Sequence, residues 1–135
     1  PPSLGLLTIN ALTAASSALI PLQTEYYALE GLSQLTQTVE LIQRRLNPEL
    51  YIEGILLTMF DTRNNLSHQV SAEARNHFGN SVFDVVIPRN VRLSESPSFG
   101  KPIYHYDKAS RGARAYRKLA QTIIERRAQS KKENP

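Results

Sequence analysis

Three apolar runs of strand length, separated by stretches with a helical period, predict an α/β fold with a parallel sheet and helices on both faces. The runs are 17–22 (SALIPL), 51–60 (YIEGILLTMF) and 82–87 (VFDVVI). They are nearly continuous in apolar residues, as strands covered on both faces tend to be. Between the first two, Leu29, Leu32, Leu35, Val39, Ile42 and Leu46 recur at steps of three and four. Polar side chains lie between them, so one apolar stripe faces a core.

Taken in order, Pro1-Pro2-Ser3-Leu4-Gly5 opens without methionine and without the charged start of a signal peptide, and reads as the interior of a longer sequence. Residues 5–15 (GLLTINALTAA) carry small and apolar side chains on most faces, which predicts a short buried helix. The strand at 17–22 is followed by a polar-aromatic connector, 23–27 (QTEYY), and then by the long amphipathic helix. Asn47-Pro48 ends that helix, because the residue before a proline avoids the helical region. The second strand runs into a turn-rich loop, Asp61-Thr62-Arg63-Asn64-Asn65. From Leu66 or Ser67 to about His77, a polar helix places Val70, Ala74 and Phe78 on one side and stops at Gly79-Asn80. The third strand, 82–87, delivers the chain into a long loop with neither helical nor strand period. A last helix spans 110–128, and 129–135 reads as a basic disordered tail. A parallel sheet of three strands leaves apolar edges uncovered, so the sheet reads as incomplete.

Composition narrows the function classes. The 135 residues suffice for one domain with a real core. Cysteine is absent, which removes disulfides and thiolate metal sites. No apolar run is long enough to span a bilayer. The net charge of +4 is uneven: residues 1–106 carry seven Lys/Arg against nine Asp/Glu, whereas residues 107–135 carry nine against three. Such a basic end suits a polyanionic partner or simply a solvated helix.

No complete active site stands in the sequence. His68, His77 and His105 lack metal-ligand spacing and read as packed or solvated histidines. There is no G-x-S-x-G elbow and no glycine-rich phosphate loop ending in Gly-Lys-Ser/Thr. The arginines are more informative. Arg63 follows the second strand, Arg89 and Arg92 follow the third, and Arg111 and Arg114 begin the last helix. Loops leaving successive parallel strands gather on one edge, where ligands bind. Guanidinium groups gathered there suit phosphates of a nucleotide or of DNA, and taken singly each suits bulk water equally well.

Five stretches carry a family resemblance: PPSLGLLTINAL (1–12), LIPLQTEYYALEGL (19–32), LNPELYIEGILLTMFDTR (46–63), VIPRNVRLSESPSFGKPIYHYD (86–107) and SRGARAYRKLA (110–120). In this order they resemble the C-terminal half of ParA/Soj-type chromosome and plasmid partitioning ATPases. These are deviant-Walker P-loop proteins related to MinD. The resemblance implies that 1–128 is the C-terminal part of an AAA/P-loop ATPase domain whose phosphate-loop half, with its Walker A lysines, lies outside this chain. It implies no catalytic residue and no metal ligand within these 135 residues. Pro1, Pro2, Ser3 and Gly5 match a switch region near the γ-phosphate. Glu25, Thr58, Met59, Pro88, Arg89 and Asn90 match nucleotide-binding positions. Arg63 and Arg92, with Lys101 and Arg111 as weaker candidates, match basic positions that bind DNA without sequence preference.

For the whole protein, the resemblance implies an ATPase that uses ATP and Mg2+, with the present residues alone holding neither. It implies an ATP-dependent homodimer that coats non-specific double-stranded DNA and is switched by a ParB-type partner. The expected location is cytoplasmic and nucleoid-associated, with no membrane. Two other readings compete. A MinD-like membrane regulator needs a C-terminal amphipathic helix, and no large apolar residue follows Ile124. A truncated, non-enzymatic remnant would occupy the partner surfaces of a full-length homologue.

Overall fold

A computed structural model describes residues 5–133, with side chains described through residue 129. Two strands, β1 (Ser17–Gln23) and β2 (Tyr51–Thr58), pair in parallel. Around them lie α1 (Leu6–Ala14), α2 (Ala28–Arg45), α3 (Asn65–Phe78), α4 (Val91–Glu95), α5 (Ile103–Tyr106) and α6 (Arg111–Glu133). Parallel strands require a crossover, and α2 supplies it between β1 and β2.

Side chains alternate across a strand, and β2 uses both faces. Ile55 and Leu57 join Ile20, Leu22, Leu32, Val70, Ala74 and Val82 in a core shared with α2 and α3. Leu56 joins Phe83, Val85, Ile87 and Leu119 in a second core beneath α6. The α/β class with helices on both faces is therefore the observed architecture. A third cluster, Val39, Ile42 and Leu50, receives Ile9, Leu12 and Ala15 from the α1 segment.

The third predicted strand is not formed as a regular ladder. Residues 82–88 pair with β2 and its extension through two isolated parallel bridges, Ile55–Val82 and Phe60–Pro88, and through a hydrogen bond from the Ile87 amide to the Leu57 carbonyl at 2.8 Å. These bridges set five residue steps on one side against six on the other, so one residue has no place in a continuous register. The Phe83 carbonyl, which a ladder could use, instead accepts from Arg75 Nη2 at 3.1 Å. Arg75 also pairs with Asp84 at 3.2 Å.

Three smaller expectations change as well. The first helix forms, but none of its residues is buried and Leu7 is 84 % exposed. The side bearing Ile9 and Leu12 packs on the third cluster. The loop after residue 90 contains the short helices α4 and α5 and a 3-10 turn, Ser96–Phe99. The last helix continues past Ala128 to Glu133, since 129–133 (QSKKE) contains neither glycine nor proline to stop it.

Candidate functional site

The carboxyl end of β2 is pinned from three directions. The Thr24 amide donates to the Thr58 carbonyl at 3.1 Å. The Thr24 hydroxyl lies 3.2 Å from both the Thr58 and the Met59 carbonyls and 3.1 Å from Ser67 Oγ. Ser67 Oγ accepts in turn from the Asp61 amide at 3.2 Å. Thr24 and Ser67 are 2 % and 1 % exposed, so these bonds satisfy hydroxyls that burial would otherwise penalise. They hold the chain through a turn in which Met59 has a left-handed φ of 54°, a conformation that non-glycine residues seldom adopt. Sequence reasoning missed both hydroxyls, because a lone Thr and Ser near strand and helix ends carry no pattern.

The segment after Ile87 is hydrogen-bonded onto this turn. The Phe60 amide donates to the Ile87 carbonyl at 3.0 Å, and the Arg89 amide donates to the Phe60 carbonyl at 3.0 Å. Thr58, Met59, Pro88, Arg89 and Asn90 are thereby brought into one neighbourhood. Glu25 joins it through an ion pair with Arg89 at 3.4 Å. Asn90 Oδ1 is buried and has no hydrogen-bond partner among the described residues. Of the expected switch residues only Gly5 lies among the described residues, where it precedes α1 and is exposed. Pro1, Pro2 and Ser3 lie outside them.

The predicted basic positions divide into two groups. Arg63 and Arg111 line a polar pocket of about 330 Å³ together with Arg89, Phe60, Asp61 and Thr62. Arg63 is held there by Asp61, with Nε to Oδ1 and Nη2 to Oδ2 both at 3.2 Å. The hydrogen bond from Arg63 holds the Asp61 carboxyl below its ordinary value. Arg92 and Lys101 lie outside that pocket. Arg92 sits on α4, where Nη1 is 3.1 Å from Glu95 Oε2 and Nε is 3.5 Å from Asp107 Oδ2. Lys101 follows Gly100, whose φ of 61° turns the chain after the 3-10 segment.

The histidines do not gather. His68 bonds the Thr62 carbonyl at 3.0 Å and meets the Phe60 ring edge-on, while His77 bonds the Glu73 carbonyl at 2.9 Å. Among the described residues no group of three or more His, Cys, Asp and Glu is placed to hold a metal ion. No helix among them is long and apolar enough to cross a membrane.

A parallel α/β unit with its polar loops at the strand carboxyl ends defines the class, a P-loop NTPase-like fold. Cobyrinic acid a,c-diamide synthase from Mycobacterium smegmatis, solved with bound ADP and magnesium, superimposes with a TM-score of 0.70 at 34% identity. The match covers 92% of this chain and 43% of that one. The same enzyme with a bound ATP analogue and magnesium gives a TM-score of 0.71.

Within that class the sequence is similar to partitioning proteins of the ParA/Soj type. The chromosome partitioning protein ParA of Myxococcus xanthus is 63% identical over 126 residues, 93% of this chain and 44% of its own length. The sporulation initiation inhibitor protein Soj of Bacillus subtilis is 63% identical over 123 residues, 91% of this chain and 49% of its own length. The chromosome-partitioning ATPase Soj of Treponema pallidum is 54% identical over 129 residues. A family model described as an AAA domain matches residues 1–52. The chain spans about half the length of the curated relatives it matches.

Proposed function

We propose that this chain is the base-binding and DNA-facing portion of a DNA-segregation ATPase of the ParA/Soj type. In this reading Glu25, Thr58, Met59, Pro88, Arg89 and Asn90 serve the nucleotide. The residues present suit the base end of ATP. Asn90 Oδ1 is a buried acceptor lacking a partner among the described residues, and a proline-fixed loop can present its backbone to a base edge without mobile side chains. They do not suit the phosphate–magnesium end, since the 135 residues contain no glycine-rich phosphate loop. In a protein of the relatives' length, the remaining residues would hold that end, with Pro1, Pro2, Ser3 and Gly5 as the adjoining switch.

Arg63 and Arg92, aided by Lys101 and Arg111, would contact DNA phosphates. Such contacts release counterions and carry no base preference, so binding is salt-dependent and sequence-independent. ATP would assemble a homodimer on double-stranded DNA of the nucleoid, and a ParB-type partner would trigger hydrolysis and release. The single observation that carries the reading is 63% identity to a chromosome partitioning protein across 93% of the chain.

The test is Arg92→Ala in the full-length protein with ATP present. DNA affinity is expected to fall, with the slope of log K against log salt shallower by about one phosphate contact, while ATP binding persists. Loss of both together would show that the loop is not divided between base and DNA.

A further inference from the structure

We propose that Glu95 and Asp107 form a carboxylate clamp on Arg92 that competes with DNA phosphate and holds the affinity of this surface below its maximum. The inference rests on reading Arg92 as a phosphate contact. It adds two acidic residues to which that reading gives no role.

The clamp is built from both sides. Glu95 Oε2 accepts from Arg92 Nη1 at 3.1 Å and from the Tyr106 hydroxyl at 2.8 Å. Asp107 Oδ2 lies 3.5 Å from Arg92 Nε. Asp107 Oδ1 accepts from the Ala109 amide at 3.1 Å, and its carbonyl accepts from the Ser110 hydroxyl at 2.8 Å. Each carboxylate is therefore tied to the protein by something other than the arginine it faces. Glu95 is anchored through α5, and Asp107 through the turn that starts α6.

The charge balance decides the sign of the effect. Two carboxylates face one guanidinium, so an approaching phosphate must compete with both for the same N–H groups. The Arg92 side chain is 54% exposed and reachable. A guanidinium carries five N–H groups, and those engaged by Glu95 and Asp107 must be released before a phosphate can take them. Glu95 and Asp107 are positioning residues in this account. They orient the fork of Arg92 and set how much of its charge DNA can use.

The experiment measures DNA binding of the full-length protein, with ATP, to a non-specific duplex over a range of salt. Glu95→Gln and Asp107→Asn are each expected to tighten binding about two- to five-fold, the range set by exposed ion pairs. In an Arg92→Ala background the same substitutions should give no gain, because nothing is left to release. A gain that persists there would mean general removal of negative charge and would overturn the clamp. Unchanged or weaker binding in both variants, with Arg92→Ala still impaired, would overturn the clamp and leave the DNA contact standing. If Arg92→Ala binds like wild type, the contact reading falls and the clamp with it. Should Glu95→Gln fail to fold through loss of its Tyr106 bond, Asp107→Asn, which keeps an acceptor for Ala109, decides alone.

Discussion

The same substitution at two helical glycines should have opposite outcomes. A Cβ on Gly31, in α2, would meet nothing within 4 Å. Gly31→Ala therefore gains helix propensity and restricts the unfolded chain, worth ~0.5–1 kcal/mol. A Cβ on Gly112, in α6, would lie 2.6 Å from Leu93 Cγ, 2.8 Å from Cδ1 and 2.9 Å from Cδ2. Carbon atoms pack favourably at ~3.5–4.0 Å, so Leu93 or the whole of α4 must retreat by roughly 1 Å. Because the clash reaches Cγ, a rotation of the side-chain tip does not relieve it. Overpacking of this kind costs ~1–3 kcal/mol, which outweighs the propensity gain. Urea unfolding of the 135-residue chain reads both effects as midpoint shifts at constant slope. Gly31→Ala should raise the midpoint and Gly112→Ala should lower it. Equal stabilisation by the two would refute the close approach of α4 to α6, and with it the seating of Arg92 one residue before Leu93.

Two further outcomes can be measured by stability alone. Phe83 is fully buried, its ring fills the space that a Cβ on Gly54 would occupy, and Arg126 lies 4.4 Å from its centroid. Phe83→Ala should cost ~3–5 kcal/mol in urea unfolding, and a loss below ~1 kcal/mol would contradict the second core. Glu53 sits at the register shift between β1 and β2, with a side chain 6% exposed, and receives Arg127 Nη2 at 2.8 Å. The hydrogen bond from Arg127 holds its carboxyl below the ordinary value of 4.5. Ionised Glu53 thus stabilises the fold above about pH 4.5, and that contribution disappears as the pH falls through the lowered folded value. Glu53→Gln should flatten the acid limb of the unfolding midpoint below pH 4.5, and an unaltered limb would exclude the linkage.

What the residues disclose depends on how far each interaction reaches. The α2 stripe and the β2 run are legible in the sequence because period and burial are local properties. The broken third strand is not, since it depends on Arg75 taking the Phe83 carbonyl eight residues away. The helices α4 and α5, of five and four residues, are too short to show a period. The arginines can be nominated from their place after strands. A distant carboxylate partner cannot: Glu25 and Arg89 are 64 residues apart in the chain, whereas Asp61 and Glu95 lie two and three residues from Arg63 and Arg92. The resemblance to partitioning ATPases supplies roles that no spacing within the chain provides. The structure adds which of those residues are neighbours.

The two arginines proposed to meet DNA are held by separate sets of partners. Arg63 is held by Asp61, whose amide bonds Ser67, so it belongs to the pinned end of β2. Arg92 is held by Glu95 and Asp107, on α4 and beside α5. The two hydrogen-bond sets share no residue. Substitutions at sites without common partners add in free energy to within about 0.5 kcal/mol. Arg63→Ala and Arg92→Ala, combined in the full-length protein, should therefore lose DNA affinity as the product of the single losses. The salt slope should fall by about two phosphate contacts. A double variant no weaker than the worse single one would mean that one arginine acts through the other. Such coupling has no route through the contacts that hold these two side chains, so the result would refute their independence.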